Sequence, residues 1–202
     1  NRGKTSVKMT IQQSLPHTTN NFEAAGIVSA RLDAQVLICS LLKQNKAWLL
    51  AHGEREISPE ILPQLLAITA RRARREPIAY ILGRKEFYGR DFLVSPEVLI
   101  PRPATEQLID EVKALPFADQ PKILDVGTGS GIIAVTLNLE MPQSRIEASD
   151  IDSSALQIAE KNAEKLGVQQ IRFFESDLLQ HASHDYDCIV ANLPYVDESW
   201  QC

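Results

Sequence analysis

The run Ile123-Leu124-Asp125-Val126 passes without a spacer into Gly127-Thr128-Gly129-Ser130-Gly131, and an apolar stretch resumes at Ile132. A short apolar run ended by a turn signal reads as a strand buried on both faces. Three glycines in five residues allow a tight turn and let a ligand approach the main chain closely. A helical pattern then starts at once. Strand, glycine turn and helix in that order form the opening unit of a parallel α/β sheet.

The surrounding sequence agrees with such a sheet. From Thr105 the pattern predicts helix 105–115, strand 122–126, helix 130–140, strand 145–149, helix 153–166, strand 170–174 and strand 186–191. Alternating strands and helices imply a doubly wound, Rossmann-like parallel sheet with right-handed crossovers. Upstream the texture is helical. Ile27, Leu32, Val36, Leu37, Leu41 and Leu42 recur at helical spacing between Glu23 and Lys43. Asn45 to Leu50 suggests a short further helix. Ser58-Pro59 reads as a helix start, and Glu76-Pro77 as its end. Lys85–Tyr88 and Asp91–Val94 predict a hairpin around Gly89-Arg90, and Pro96, Pro101 and Pro103 stiffen the connector that follows. The expected organisation is a remnant over 1–8 ahead of a natural start at Met9, a helical substrate-recognition domain over 9–82, a hairpin and Pro-rich connector over 83–104, and the sheet domain over 105–202.

Composition narrows the function classes. A net charge of -5 weighs against bulk nucleic-acid binding. Cys39, Cys188 and Cys202 form no CxxC pair, which disfavours a zinc site or a disulfide framework and favours a reducing cytoplasm. No apolar stretch approaches the roughly 20 residues that span a bilayer. His181 and His184 lack a matching cysteine pair, so no metal is expected. Arg71, Arg72, Arg74 and Arg75 read first as a solvated face at a helix end, and second as a contact for an acidic partner or nucleic acid.

Ligands of doubly wound sheets sit outside the carboxyl ends of the strands. Three acids stand just there. Asp125, ahead of Gly127, Thr128, Gly129, Ser130 and Gly131, can accept from a ligand ammonium, directly or through water, or can simply cap its own turn. Asp150, with Ile151 after it, ends the second strand, where a carboxylate can accept both hydroxyls of a ribose. Asp152 reads as a helix cap. Asp177 follows the third strand, where it can accept an adenine amine while Leu178 packs on the ring.

The fourth strand runs into Asn192-Leu193-Pro194-Tyr195. An amide nitrogen is a poor nucleophile because its lone pair is delocalised, so a site that uses one must hold it in line with the electrophile. The Asn192 side-chain carbonyl and the Leu193 backbone carbonyl can accept its two N–H bonds, and Tyr195 can stack on the planar group or exclude water. An Asn-Pro turn with no chemistry is the plainer alternative. The nucleoside cradle and the NH2 clamp together suggest methyl transfer from S-adenosyl-L-methionine to an amide or amino nitrogen.

At this point the chain resembles the HemK/PrmC protein-(glutamine-N5) methyltransferases, in their release-factor branch. The resemblance runs from about Arg31 to the C-terminus. It covers Glu76-Pro77-Ile78-Ala79-Tyr80, Phe87-Tyr88-Gly89, Phe92-Leu93-Val94 and Leu99-Ile100-Pro101-Arg102-Pro103-Ala104-Thr105-Glu106, then the glycine motif, Asp150 and Ser176-Asp177. Where the family usually has Asn-Pro-Pro-Tyr, Leu193 holds the second position. The resemblance implies a class I methyltransferase domain that uses S-adenosyl-L-methionine. Its substrate would be the glutamine of the Gly-Gly-Gln motif in class 1 peptide release factors, in the cytoplasm and without membrane or direct nucleic-acid partners. It also implies a seven-stranded sheet, of which four strands can be placed, so a sheet cut short after its fourth strand is expected. Two alternatives stay open: an adenine-N6 methyltransferase of nucleic acid, which shares a planar-NH2 clamp but must flip its base, and a release-factor-binding fragment without chemistry.

Overall fold

The structure is a computed structural model that describes residues 8–183 and 185–193. The chain divides into two units, one up to Leu82 and one from Gly83.

In the first unit, helix α1 (Ile11–Ala24) starts from a reciprocal cap. Thr10 Oγ1 accepts from Gln13 N, and Gln13 Oε1 accepts from Thr10 N at 2.9 Å. Two orphan donors are thereby satisfied. Gly26 then takes a left-handed φ of 69°, so the single helix expected across 23–43 is broken and α2 spans Ala30–Leu42. The short α3 (Lys46–Ala51) is capped by Asn45. Helix α4 runs Leu62–Ala73, not from Ser58. Pro63 fits its first turn, while Ser58 accepts through its backbone carbonyl from Ile61 and Leu62. Glu76-Pro77 does not simply end a helix. Arg75 turns left-handed at φ 67°, and Pro77 opens the short α5 (Ile78–Leu82).

The arginine run is only partly the solvated face read from the sequence: Arg74 and Arg75 are exposed, while Arg71 and Arg72 are half-buried and make ion pairs within the unit. Arg72 Nε reaches Asp33 Oδ2 on α2 at 2.8 Å, with the two side chains 17% and 7% exposed. Arg71 pairs with Glu76, and Arg75 donates to the carbonyl of Ala25 at 3.0 Å. Removing Arg72 would leave the buried Asp33 carboxylate without this partner, which is destabilising.

In the second unit, β1 (Arg84–Phe87) and β2 (Arg90–Leu93) form an antiparallel hairpin in which Phe87 pairs with Arg90. The turn is therefore Tyr88-Gly89, one residue earlier than expected. Both have positive φ, 51° and 73°, as a twist-matched two-residue turn requires. Phe87 and Phe92 pack edge to face at 6.2 Å inside the core. Glu106 accepts from Tyr88 N at 2.8 Å and so braces the hairpin.

The remaining elements are α6 (Ala104–Lys113), β3 (Lys122–Val126), α7 (Ile132–Glu140), β4 (Arg145–Asp150), α8 (Ser153–Lys165), β5 (Arg172–Glu175) and β6 (Cys188–Ala191). The four strands β3 to β6 are parallel in the order β5-β4-β3-β6. Ile123, Leu124, Asp125 and Val126 are all buried, as in a strand covered on both faces. β5 starts later and ends one residue beyond its expected span, and β6 starts two residues late. Strand order reverses direction between β3 and β6. That is the switch point at which such sheets open a crevice at their carboxyl edge.

Candidate functional site at the switch point

Beyond Val126 the main chain turns through Gly127 with φ 66°, a region most side chains avoid. Thr128 N donates to Ser149 O at 2.9 Å, and Ser176 N donates to Asp150 O at 2.9 Å. Both bonds carry the parallel ladder one step past the strands and fix the loops that follow. Gly131, at φ 75°, starts α7; a β-carbon there would meet the Ala159 backbone at 2.9 Å. The last glycine of the motif is thus a close approach between α7 and α8.

Asp125 is wholly buried below this loop. Its Oδ2 accepts from Thr128 Oγ1 at 2.6 Å and from Ala134 N at 3.2 Å. Among the described residues no group donates to its buried Oδ1. Burial pushes the carboxyl up from 3.8 to about 7, against the two hydrogen bonds and helped by the nearby Asp150 charge. The turn-capping reading of Asp125 is realised by one oxygen, Oδ2.

Asp150 closes β4 with Oδ2 accepting from Gly129 N at 2.8 Å and Oδ1 from Asp152 N at 3.0 Å. It clamps the glycine loop and still lines the cavity beside it. Asp152 caps α8 through Ser154 N at 2.8 Å, as the sequence suggests. Asp177 and Leu178 are exposed at the β5 edge, and Leu178 takes a left-handed φ of 48°. Buried Ser176 shapes that loop, donating to Leu178 O at 3.0 Å and accepting from His181 N at 3.1 Å.

Asn192 follows β6. Its Nδ2 lies 3.2 Å from the Thr105 hydroxyl on α6. A cavity of about 250 Å³ brings Asn192 and Leu193 together with Gly127, Gly129, Asp150, Ile151, Asp177 and Leu178. Thr128, Ser130 and Gly131 shape the loop behind it. Pro194 and Tyr195 lie outside the described residues. The larger hollow of about 670 Å³ in the helical unit is lined by none of these side chains.

Several contributors escaped the sequence reading. Glu97 and Val98 line the cavity with Leu99, and their only signal was a place beside the Pro-rich segment. Thr105 stood inside a quoted motif without a role. Asn162 is fully buried on α8. It accepts from Leu93 N at 2.6 Å and donates to Leu93 O at 2.9 Å and Ser130 O at 2.8 Å. Its signal was a polar residue within the apolar stripe of Ala155, Ala159 and Ala163.

Two family models match the chain: the PrmC N-terminal domain over residues 13–83 and the methyltransferase small domain over 103–201. The release factor glutamine methyltransferase of Koribacter versatilis is 46% identical over 193 residues, covering 94% of this chain and 69% of that protein. The chain belongs to this family. The release factor glutamine methyltransferase of Coxiella burnetii is 40% identical, with 85% of this chain and 62% of that protein covered. Across these two relatives the chain spans 62–69% of their length. The ribosomal protein L11 methylase of Lactobacillus delbrueckii subsp. bulgaricus is 31% identical over 46% of this chain and 47% of its own, at a TM-score of 0.40.

A methyltransferase of this family implies S-adenosyl-L-methionine, and the residues present fit it. A buried carboxylate oxygen lacks a partner, as a site for an ammonium group requires. The loop above it exposes backbone at Gly127 and Gly129, and a second carboxylate and an exposed Leu178 stand at successive strand ends along one cavity.

Proposed function

We propose that the chain carries the core of an enzyme that methylates the side-chain amide nitrogen of the Gly-Gly-Gln glutamine in class 1 peptide release factors, in the cytoplasm. One observation carries the reading: Asn192, held by its NH2 group against Thr105, shares a cavity with the glycine loop and Asp150. A carbonyl acceptor thus stands beside a nucleoside-type cradle at the switch point.

S-adenosyl-L-methionine supplies an electrophilic methyl group. Asp125 receives its ammonium end directly or through water, Asp150 the ribose hydroxyls, and Asp177 the adenine amine, with Leu178 against the ring. Gly127, Thr128, Gly129, Ser130 and Gly131 keep the backbone close, and Ile151 closes the side of the cavity. Asn192 Oδ1 and the Leu193 carbonyl accept the two N–H bonds of the substrate amide and fix its plane. Near-attack positioning of this kind supplies roughly 7–11 kcal/mol in favourable systems. The substrate nitrogen needs no strong base beforehand, since the methylated amide can release its proton to water. Pro194 and Tyr195 complete the clamp, Tyr195 by stacking or by excluding water. The helical unit, over 9–82, serves the protein substrate, and nucleic acid takes no direct part.

Asn192→Ala tests this. In the full-length protein, cofactor affinity should stay near normal while single-turnover transfer to a release factor falls about a hundredfold or more. Mass spectrometry should find one methyl on the Gly-Gly-Gln glutamine for the parent enzyme and none on DNA or RNA. Near-normal transfer by the variant would remove the clamp from the account.

A further inference from the structure

We propose that Thr105 is a positioning residue for the reaction, whose hydroxyl holds the NH2 of Asn192 and so turns the Asn192 carbonyl oxygen toward the substrate amide. The inference rests on the clamp reading above and adds a residue for which no role is known from the comparisons.

A carboxamide is a planar group with two donors on one side and an acceptor on the other. Only one of its two orientations can receive a substrate N–H. In the other, NH2 would face NH2, donor against donor. The observed arrangement sets Nδ2 against Thr105 Oγ1 at 3.2 Å, and among the described residues nothing donates to Asn192 Oδ1. Among the described residues, then, the acceptor is left for a ligand. Thr105 is suited to the task because it is itself fixed. It is 7% exposed in the first turn of α6, and its N–H donates to Arg102 O at 2.9 Å. Burial of the side chain limits the positions its hydroxyl can take. Asn192, by contrast, stands in the loop beyond β6 with no regular element to hold it. The restraint must come from a neighbour, and Thr105 is the neighbour that the structure supplies.

The mechanism predicts a division between kinetic constants. Thr105→Val keeps the shape and removes the hydroxyl, so Asn192 can rotate. It should lower kcat roughly 5- to 100-fold, the range expected when one partner of a hydrogen bond is removed and the other is left unpaired. KM for the release factor and affinity for S-adenosylhomocysteine should change less than about threefold, because neither depends on amide orientation. Thr105→Ser should restore kcat to within about threefold of the parent. In the Asn192→Ala background, Thr105→Val should add almost nothing, since the group it orients is gone.

The experiment measures these constants with a release factor in the full-length enzyme, with thermal melts of each variant. If Thr105→Val melts early, Thr105→Ala is measured against Thr105→Ser at a temperature where both are folded, and the same rescue is expected. A crippled Asn192→Ala beside a fully active Thr105→Val overturns the role of Thr105 alone. A near-normal Asn192→Ala overturns the clamp, and this inference with it. A Thr105→Val loss that persists in full without the Asn192 side chain also overturns the inference, because the hydroxyl would then act by another route.

Discussion

The side chain of Leu193 occupies the space that a β-carbon on Gly127 would need. The loop after β3 and the segment after β6 are thus packed against each other across the switch point. A residue at 127 larger than glycine meets two separate obstacles, a backbone at φ 66° and the tip of a leucine.

Gly127→Ala should therefore weaken binding of S-adenosylhomocysteine by about tenfold and lower Tm. The left-handed backbone alone costs about 1–2 kcal/mol for a residue with a β-carbon, which at this size is roughly 2–4 °C per kcal/mol. Adding Leu193→Ala should relieve the crowding but not the backbone cost. Calorimetry and thermal melts separate the two. Full recovery in the double variant would show that φ at 127 imposes no strain.

Asp150→Ala should lose cofactor affinity tenfold or more, since a hydrogen bond to a charged group contributes about 1.5–3 kcal/mol. The carboxylate also holds Gly129 N and Asp152 N, so a small fall in Tm should accompany the loss. Asp150→Asn keeps an acceptor for the loop and should recover the melt more than the affinity. Unchanged affinity in Asp150→Ala would sink the ribose assignment.

Asp125 sets a pH dependence. Its carboxyl is raised from 3.8 to about 7 by burial, so the folded chain holds a proton that the unfolded chain has released. That contribution to stability is present in full below pH 3.8 and is lost as pH rises toward 7, at about 1.4 kcal/mol per unit. Asp125→Asn should remove the dependence, gaining Tm on the parent at pH 8 relative to pH 5. Cofactor affinity should run the other way. An ammonium favours the ionised carboxylate, so the parent should bind more tightly at pH 8 than at pH 6, and Asp125→Asn should show little change. Parallel pH profiles for the two proteins would exclude Asp125 as the titrating group.

The sheet was legible because β3 and β6 are short apolar runs and because β4 and β5 each end in an acid, Asp150 and Glu175. The helical unit was harder to read. Helix α1 buries Ser14 and Thr18 beside Ile11 and Phe22 and carries Pro16, so its inner face does not look apolar and its interior holds a helix breaker. Gly26 looked tolerable inside a helix until its positive φ broke one. Within the site, residues at strand ends were found because topology alone brings them together. Thr105 and Asn162 were not assigned, because their roles are hydrogen bonds to residues 87 and 69 positions away in sequence. No local pattern reports such a pairing.

Asn162 fastens Leu93 to the glycine loop through Ser130, and Thr105 is joined to Asn192. The eleven residues between, 94–104, include Pro96, Pro101 and Pro103. They form a strap stitched at one end to the glycine loop and at the other to the residue of the proposed amide clamp, with Glu97, Val98 and Leu99 lining the cavity. Its prolines leave little slack, because they limit the freedom the strap has to lose on folding. The glycine loop and Asn192, which follow separate strands, are in this way joined through one short segment.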